Sequence, residues 1–488
     1  MRLPPVIGVR PLPTVSALPQ APAQTVTQNF LALGAGEAAA RLLAFASTVY
    51  IARRLGAEYY GVIGFAAAVL LYLNRIVDFG IDAGLGVREI AIDRRAIERI
   101  APAVLTLRLS FAVVVAALVV VAGVVVLPPP DGPILAVYGL TLVMAGASTR
   151  WIHLGLERAS RVAIARTAGE AIMLVGVVGL VRGTEDLARV PLAQFVGDAA
   201  AALLLLWWVG RSAIRMPVTV DWTAVRPLMN RAWPLMLTAL LGLLIYNSDL
   251  IFLRVFHGRA AVGYYAAAYT LVSFLINLGS AYGVALLPTL TGLHGDRAER
   301  QALYDTALAR VVALVLPITV GGSYLAAEFV NQVFDEGYAA AAAPLAILLW
   351  SVLLLLVRGI PVAGLIAAGR EGLVFRATAW AAALNLVLNV ALIPRYGTVG
   401  AATATVLTEI ARLVLAFLFA GNVGFGPTAW GRLWRPSVAG LAMILGLVAT
   451  GITTLWIAVP LGAVVYGVAL AMLGGIRWTR GALPQLHV

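Results

Sequence analysis

Apolar segments separated by short polar connections recur along almost the whole chain. Each reaches about 20 residues, the length that an α-helix needs to cross the hydrocarbon core of a bilayer. In chain order the predicted spans are 29–51, 60–81, 102–127, 134–154, 162–181, 190–209, 232–255, 262–287, 307–326, 340–366, 374–393, 399–420, 437–455 and 457–476. The pattern therefore predicts an all-α polytopic membrane protein with fourteen transmembrane helices.

The spacing of these spans predicts four regions. Residues 1–28 hold six prolines and no apolar run long enough for a signal-peptide core, which is typical of a disordered cytoplasmic tail. We predict an amino-terminal six-helix lobe over 29–220 and a carboxy-terminal six-helix lobe over 221–430. Residues 431–488 would add two further transmembrane helices.

An internal repeat supports the division into two lobes. The sequence after the first span aligns with the sequence after the seventh at an offset of 202 residues, so that Gly56 matches Gly258 and Gly61 matches Gly263. A chance match between two segments rich in glycine and alanine is the alternative. Because each copy has six spans, the two bundles form a parallel repeat, and such repeats place a substrate between the lobes near the middle of the membrane.

Composition and charge agree with a membrane protein and predict its orientation. Hydrophobic residues make up 61% of the chain and charged residues 12%, against about 25% charged in soluble domains. All 35 basic residues are arginine, and with both termini in the cytoplasm 21 lie on the cytoplasmic side, seven on the other side and seven within spans. This asymmetry follows the positive-inside rule. We therefore predict a multi-pass protein of a bacterial or archaeal plasma membrane with both termini cytoplasmic.

Several classes of chemistry are disfavoured by what the chain contains. There is no cysteine, and the four histidines are scattered without the spacing of a metal site. A chain without lysine has no phosphate-binding loop of the Walker type. No connection is long enough for a soluble catalytic domain. The sequence thus predicts a protein that is not an enzyme, with no cofactor, no metal and no nucleic-acid partner.

Arg41 is the most informative charge within a span. It lies near the middle of the first predicted span, about 15 Å from either end, where an arginine costs at least ~2.5 kcal/mol. Arginine also binds phosphate through two parallel hydrogen bonds. We therefore predict that Arg41 lines a cavity and binds an anionic substrate. The alternative is a neutral pair with Glu37, one helical turn earlier.

Other polar residues within the spans extend this predicted substrate site. Arg412 shares a helix face with Glu409, so an ion pair that serves the fold is the alternative there. An arginine near the cytoplasmic boundary can extend its charge into water, and asparagines within spans commonly join neighbouring helices. The further candidates for substrate binding are Arg358, Arg75, Arg412, Asn277 and Asn247.

Carboxylates within the spans are candidates for ion coupling. Asp249 lies in the seventh span, one turn from Tyr246. A carboxylate within a membrane is protonated, paired or part of an ion pathway, so coupling to Na⁺ or H⁺ and a structural hydrogen-bonding role both remain open. The secondary candidates are Asp78, Glu170 and Asp198.

Several segments of the chain resemble one family of transporters. These are IARRLGAEYYG, RIVDFGIDAGLGVREIA, YNSDLIFLRVF, VGYYAAAY and NLVLNVALIPRYGTVGAATATVLTE, spread over residues 29–420. They resemble the polysaccharide-biosynthesis flippases, which move O-antigen and related lipid-linked oligosaccharides, of the multidrug/oligosaccharidyl-lipid/polysaccharide exporter superfamily. The first-loop pattern of the lipid II flippases, another branch of that superfamily, is not found.

The resemblance implies a central cationic cavity, alternating access and a polyprenyl-diphosphate-linked glycan as cargo. It implies membrane lipids, a polysaccharide polymerase and assembly proteins as partners. The expected function is movement of the glycan from the cytoplasmic to the outer leaflet, coupled to an ion gradient. A drug or cation exporter would favour an acidic, aromatic cavity, and a membrane glycosyltransferase or polymerase would need a large outer loop with catalytic acids; these are the alternatives.

Overall fold

A computed structural model describes residues 23–82, 86–87, 90, 96–212, 222–292, 297–426, 430–477 and 485–486. The fold over these residues is helical apart from one short antiparallel pair of strands. The α-helices are α1 (Ala23–Asp78), α2 (Ala96–Val125), α3 (Asp131–Gly139), α4 (Thr141–Ala147), α5 (Arg150–Gly155), α6 (Ala159–Leu180), α7 (Arg189–Gly210), α8 (Trp222–His257), α9 (Arg259–Gly292), α10 (Arg297–Tyr324), α11 (Ala326–Val333), α12 (Ala342–Ala367), α13 (Glu371–Asn422), α14 (Trp434–Thr450) and α15 (Leu455–Met472). Short 3₁₀ helices cover Thr184–Asp186, Glu336–Ala341 and Trp430–Leu433, and the strands are β1 (Ile476–Arg477) and β2 (Gln485–Leu486).

The number of membrane spans follows from two long, kinked helices. Twelve helical segments of the described chain are long and apolar enough to cross a membrane, but two of them contain 45 and 52 residues. These two break at Gly56 and Gly397, where φ is 70° and 53°. Glycine adopts such positive φ values without a steric penalty. Since each long segment is two spans joined at a glycine, the described chain holds the predicted fourteen.

Two helices differ from the predicted boundaries. Helix α1 begins at Ala23, so its first residues overlap the predicted tail, whose residues 1–22 lie outside the described chain. The predicted fourth span is divided among α3, α4 and α5, with an extended residue at Ser148. Irregular backbone is tolerated at membrane depth where it lines a cavity, and Ser148 does line one.

The repeat glycines bring α1 and α9 into close contact. A Cβ atom on Gly61 would overlap the carbonyl oxygen of Arg259, and one on Gly263 would overlap that of Ala57. Small residues permit this approach of two backbones within a membrane. One continuous apolar core runs through both halves of the chain at this contact. The predicted lobe boundaries at 220 and 430 fall in or beside segments outside the described residues, and they stay a prediction.

Helices α14 and α15 pack together against α10. Their shared core includes Ala439, Met443 and Tyr466, together with Ala313 of α10. The hydroxyl of Tyr466 donates a hydrogen bond of 2.7 Å to the carbonyl oxygen of Ala313. The last two membrane helices are therefore attached to the second half of the chain.

Candidate functional site

A polar cavity of about 350 Å³ lies among the helices of the first half of the chain. We call it the amino-terminal chamber. Eight of its fifteen lining residues are polar or charged, although the helices around it are membrane spans. These eight are Asn74, Thr141, Ser148, Arg150, Arg166, Glu170, Gln194 and Asp198. Polar groups at this depth need water or a polar ligand, because hydrocarbon satisfies none of their hydrogen bonds.

Three arginines from three helices surround Glu37 beside this chamber. Arg166 Nη1 lies 2.6 Å from Glu37 Oε2, Arg150 Nη2 lies 3.6 Å from Glu37 Oε1, and Arg41 Nη2 lies 4.0 Å from Glu37 Oε2. The arginine side chains are 38–41% exposed. One carboxylate cannot neutralise three guanidinium groups, so this Glu37 cluster has a net charge of about +2 and is accessible to an anion.

Arg41 also lies where the two halves of the molecule meet. Its Nη1 donates a hydrogen bond of 3.2 Å to the backbone carbonyl of Asn277 on α9. The Asn277 side chain is exposed and donates 2.8 Å to the carbonyl oxygen of Ser273. The structure thus brings together two of the residues predicted to bind substrate.

An apolar groove of about 610 Å³ begins one helical turn from Arg41. Its residue Phe45 packs against Phe274 of α9 with ring centroids 5.3 Å apart. The groove runs between α1, α9, α10, α11, α12, α14 and α15, and its walls are almost wholly apolar. An acyl or isoprenoid chain fits such walls, and a chain in contact with Phe45 would have its headgroup close to Arg41 of the Glu37 cluster.

Two carboxylates of the chamber have no arginine partner. Glu170 follows Arg166 by one turn on α6, and Asp198 lies on α7. Neither forms an ion pair within the described part of the chain. Gln194 Nε2 donates to both oxygens of Asp198, at 3.1 and 3.2 Å. The chamber is therefore cationic around Arg150 and Arg166 and acidic around Glu170 and Asp198.

Asp249 lies in a different environment, in the second half of the chain. It is fully buried on α8 and accepts hydrogen bonds from Tyr265 Oη at 2.6 Å, Asn389 Nδ2 at 2.6 Å and Thr405 Oγ1 at 2.8 Å. Asn389 Oδ1 is buried without a hydrogen-bond partner among the described residues. With Ser248 and Asn385, which bond to one another and to Asn389, these residues form what we call the Asp249 cluster.

The predicted binding residues Arg358 and Arg412 both face Glu409. Arg358 Nε lies 3.1 Å from Glu409 Oε2, Arg412 Nη1 pairs with Oε1, and Tyr246 Oη donates 2.6 Å to the same oxygen. Glu409 is fully buried, and the two arginines are 13% and 9% exposed. This Glu409 cluster is an ion-pair network, the alternative considered for Arg412. Asn247 is buried and donates only a 3.4 Å bond to Leu243 of its own helix in the described contacts.

The remaining candidates, Asp78 and Arg75, lie near the carboxy-terminal end of the second predicted span. Asp78 is 3.5 Å from Arg108, which also pairs with Asp82 at 3.2 Å. Arg75 is exposed, one turn before Asp78. The structure therefore places Asp78 in an ion-pair network with Arg108 and Asp82.

Sequence reasoning missed an ion-pair cluster that joins the two halves of the molecule. Asp131, at the start of α3, is fully buried and pairs with Arg254 at 2.6 Å and with Arg259 at 2.8 Å. Nearby, Tyr338 Oη donates 2.8 Å to the carbonyl oxygen of Ala52. The sequence places Asp131 and Arg259 in short connections between spans and Arg254 at the end of a span, and only the fold brings them together. This end of the bundle, which we call the Asp131 end, is closed.

Sequence reasoning also missed the partners that complete each site. Arg150 and Gln194 were not candidates, nor were Tyr265 and Thr405. In the sequence, Arg150 is one of many arginines near a predicted cytoplasmic boundary, so nothing distinguishes it. Tyrosine and threonine are common in spans and do not stand out either. The one available signal was for Thr405, which shares a helix face with Glu409 and Arg412.

The fold and these sites define a multi-pass membrane transporter: many spans enclose a cationic cluster, an adjoining polar chamber and buried carboxylates. The family model described as "Polysaccharide biosynthesis protein" matches residues 26–294, more than half of the chain. The chain therefore belongs to the polysaccharide biosynthesis protein family.

A curated relative is similar to part of this chain. The "Probable low-salt glycan biosynthesis flippase Agl15" of Haloferax volcanii is 28% identical over 169 residues, which cover 34% of this chain and 36% of that protein. The matched region thus spans about a third of this relative's length.

Among solved structures, the inward closed conformation of the lipid II flippase MurJ has a TM-score of 0.75 at 13% identity and covers 90% of this chain and 98% of that one. The inward-facing conformation of a multidrug resistance MATE transporter has a TM-score of 0.63 at 15% identity and covers 79% of this chain and 94% of that one. At such identities the likeness shows the fold alone.

Proposed function

We propose that this protein is a flippase that moves a polyprenyl-diphosphate-linked glycan from the cytoplasmic to the outer leaflet by alternating access. One observation carries the proposal: an exposed cluster of three arginines adjoins an apolar groove within one helical turn. Arg41 belongs to the cluster and Phe45 to the groove. A ligand that joins an anionic headgroup to a long apolar chain matches both.

The charge of the Glu37 cluster suits a diphosphate. Arg166 holds Glu37 closely, whereas Arg150 and Arg41 lie 3.6 and 4.0 Å from it and keep donors free for another acceptor. Guanidinium groups bind phosphate oxygens bidentately, and the pairs are stronger in a site shielded from water. A doubly anionic diphosphate would neutralise the net charge of the cluster. A drug or cation exporter would not benefit from that charge.

The ion pairs at the Asp131 end support alternating access. If both termini are cytoplasmic, as the arginine distribution predicts, the Asp131 end faces the outer side of the plasma membrane and Arg150 lies towards the cytoplasm. The conformation described would then receive substrate from the cytoplasmic leaflet. Release on the other side requires the pairs of Asp131 with Arg254 and Arg259 to separate.

The Asp249 cluster is our proposed coupling site. It offers oxygen ligands from a carboxylate, amides and hydroxyls, the donor types that hard cations prefer, and Asn389 Oδ1 has no other partner among the described residues. Na⁺ bound there, or a proton on Asp249, would link transport to an ion gradient. Glu170, Asp198 and Asp78 remain secondary candidates. Membrane lipids, a polysaccharide polymerase and assembly proteins are the partners proposed.

The test of this function is transport by reconstituted vesicles. A fluorescent polyprenyl-diphosphate sugar is placed in one leaflet, and its appearance in the other is followed with an impermeant quencher. We expect Arg41→Ala to lower the rate about tenfold or more, because the headgroup loses a bidentate partner, and Arg41→Lys to rescue it only in part.

The matched control is Arg310→Ala, which removes an exposed arginine from α10 that lies outside the Glu37 cluster. It should transport at the wild-type rate. Wild-type transport by Arg41→Ala would contradict the proposed function.

A further inference from the structure

The amino-terminal chamber extends beyond the arginines that the proposed function uses. From Arg166 it continues past Glu170 to Gln194 and Asp198. A diphosphate held by the Glu37 cluster would occupy only its cationic part, and an acidic and amide-lined part of the cavity would still be unfilled. The group attached to the diphosphate on the side away from the lipid is a sugar.

We propose that this chamber holds the first sugar of the glycan and selects a neutral, hydroxyl-rich one. The inference rests on the proposed function, since it takes the diphosphate to lie at the Glu37 cluster. It adds a site that distinguishes cargo by the charge and hydroxyl groups of the first sugar.

The size and lining of the chamber suit a sugar ring. Its volume of about 350 Å³ is at the lower end of the range of ~300–1,000 Å³ typical of ligand pockets. Sugar hydroxyl groups both donate and accept hydrogen bonds. Glu170 and Asp198 supply acceptors, and Asn74 and Arg166 supply donors, while Met144 and Leu205 offer apolar surface to the C–H groups of the ring.

Asp198, in the part of the chamber away from the Glu37 cluster, is held in place before any ligand binds. Both oxygens of Asp198 accept from Gln194, one helical turn earlier. Each carboxylate oxygen has a further lone pair, so each can still accept a bond from a hydroxyl group. A fixed acceptor costs little side-chain entropy on binding.

The arrangement of charge gives the specificity. Glu170 and Asp198 have no ion-pair partner in the described chain, so a sugar carboxylate beside them would lose its water without gaining a cation, and would meet like charge wherever they are ionised. A neutral sugar would meet only acceptors and donors. Cargo whose first sugar is a uronic acid should therefore be disfavoured.

The test compares probes that differ only in the sugar. The reference probe is farnesyl diphosphate carrying a methyl ester on its second phosphate, which has the charge of the glycolipid without a sugar. The other two carry N-acetylglucosamine or glucuronic acid at that phosphate. Binding to the purified full-length protein in nanodiscs is measured by isothermal titration calorimetry. We expect the N-acetylglucosamine probe to bind about tenfold more tightly than the methyl ester, and the glucuronic acid probe to show no such gain.

Two variants locate the effect in the chamber. Glu170→Gln combined with Asp198→Asn should abolish the tenfold gain and leave the affinity for the methyl ester within about twofold. Ala201→Phe, which fills the chamber from its wall, should do the same by excluding the ring. The matched control is Asp305→Asn, because Gln301 donates to Asp305 with the same spacing and distance as in the chamber, 3.1 Å, but in α10 outside it. This control should keep the gain.

The outcomes separate this inference from the proposed function. If the wild type bound the methyl ester and the N-acetylglucosamine probe with equal affinity, the proposal that the chamber binds a sugar would be wrong. The same would follow if the double carboxylate variant lost affinity for both probes equally. Either result would leave the proposed function intact if Arg41→Ala weakens both probes. Failure of the wild type to bind any probe would overturn the proposed function and this inference with it.

Discussion

Two glutamate–arginine clusters, one in each half of this molecule, hold their charges in opposite ways. In the first half, Glu37 lies 2.6–4.0 Å from three arginines that are 38–41% exposed, and two of them, Arg150 and Arg166, line a cavity. In the second half, Glu409 is fully buried between two arginines that are 13% and 9% exposed. The first arrangement leaves hydrogen-bonding capacity for a ligand, and the second uses its capacity within the protein.

The difference follows from the cost of burying charge. A buried ion needs partners that compensate for the lost water, and removing one partner leaves the other uncompensated. Water or a ligand can compensate the exposed arginines of the Glu37 cluster. Glutamate paired with arginine can therefore leave room for a ligand to bind in one cluster and stabilise a fixed structure in the other.

The largest expected effect tests the claim that Glu409 is structural and Glu37 is not. Glu409→Ala leaves Arg358 and Arg412 without their shared carboxylate, and we expect a loss of about 3–5 kcal/mol of stability. Glu37→Ala, the matched control, should cost at most ~1 kcal/mol because its arginines are partly solvated. Thermal unfolding of the detergent-solubilised proteins measures both. Equal melting temperatures for the two variants would break the comparison.

The next effect concerns Asp249, the buried carboxylate with no arginine partner in the described chain. Movement of one charge through 100 mV is worth about 2.3 kcal/mol, which biases transport well over tenfold. We expect Asp249→Asn to remove the stimulation of transport by an imposed Na⁺ or H⁺ gradient and to keep the affinity for the lipid-linked sugar. Vesicles with and without a gradient provide the measurement.

The control for this experiment is Glu185→Gln, which changes an exposed carboxylate between α6 and α7 and should keep the gradient dependence. If Asp249→Asn responded to the gradient like the wild type, its role would be structural. The secondary candidates Asp78, Glu170 and Asp198 would then be tested in turn.

The smallest effect concerns the contact between the two halves. Asp131→Asn removes the buried charge that pairs with Arg254 and Arg259, although the amide oxygen can still accept a hydrogen bond. Each ~1 kcal/mol lost from the contact raises the open fraction of the Asp131 end about fivefold. A single cysteine at Ala57, which contacts Gly263 there, should then react faster with an impermeant maleimide. The chain has no native cysteine to interfere.

Asp186→Asn is the control for this opening. Asp186 pairs with Arg189 at 2.7 Å within the first half of the chain, so its loss should leave the reactivity at Ala57 unchanged. An unaltered rate in Asp131→Asn would show that these ion pairs do not hold the end closed.

The sequence by itself determined the class of protein and the positions of its spans. Hydropathy is a local property, and about 20 apolar residues cross a bilayer whatever they pack against. It also singled out Arg41, Asp249 and Glu170 as charges within spans, because the depth of a residue within an apolar segment can be counted along the chain. The glycines of the internal repeat were visible too, and Gly61 and Gly263 do meet in the fold.

Only the tertiary structure decided what each charge does. Asp249 takes a donor from Thr405, 156 residues away, and Arg166 reaches Glu37 across 129 residues. Arg358 and Arg41 look alike in sequence, yet one is fixed by Glu409 and the other borders an open cluster. Whether a buried charge is compensated depends on which helices pack beside it, and helix packing is set by contacts between distant segments that no local pattern records.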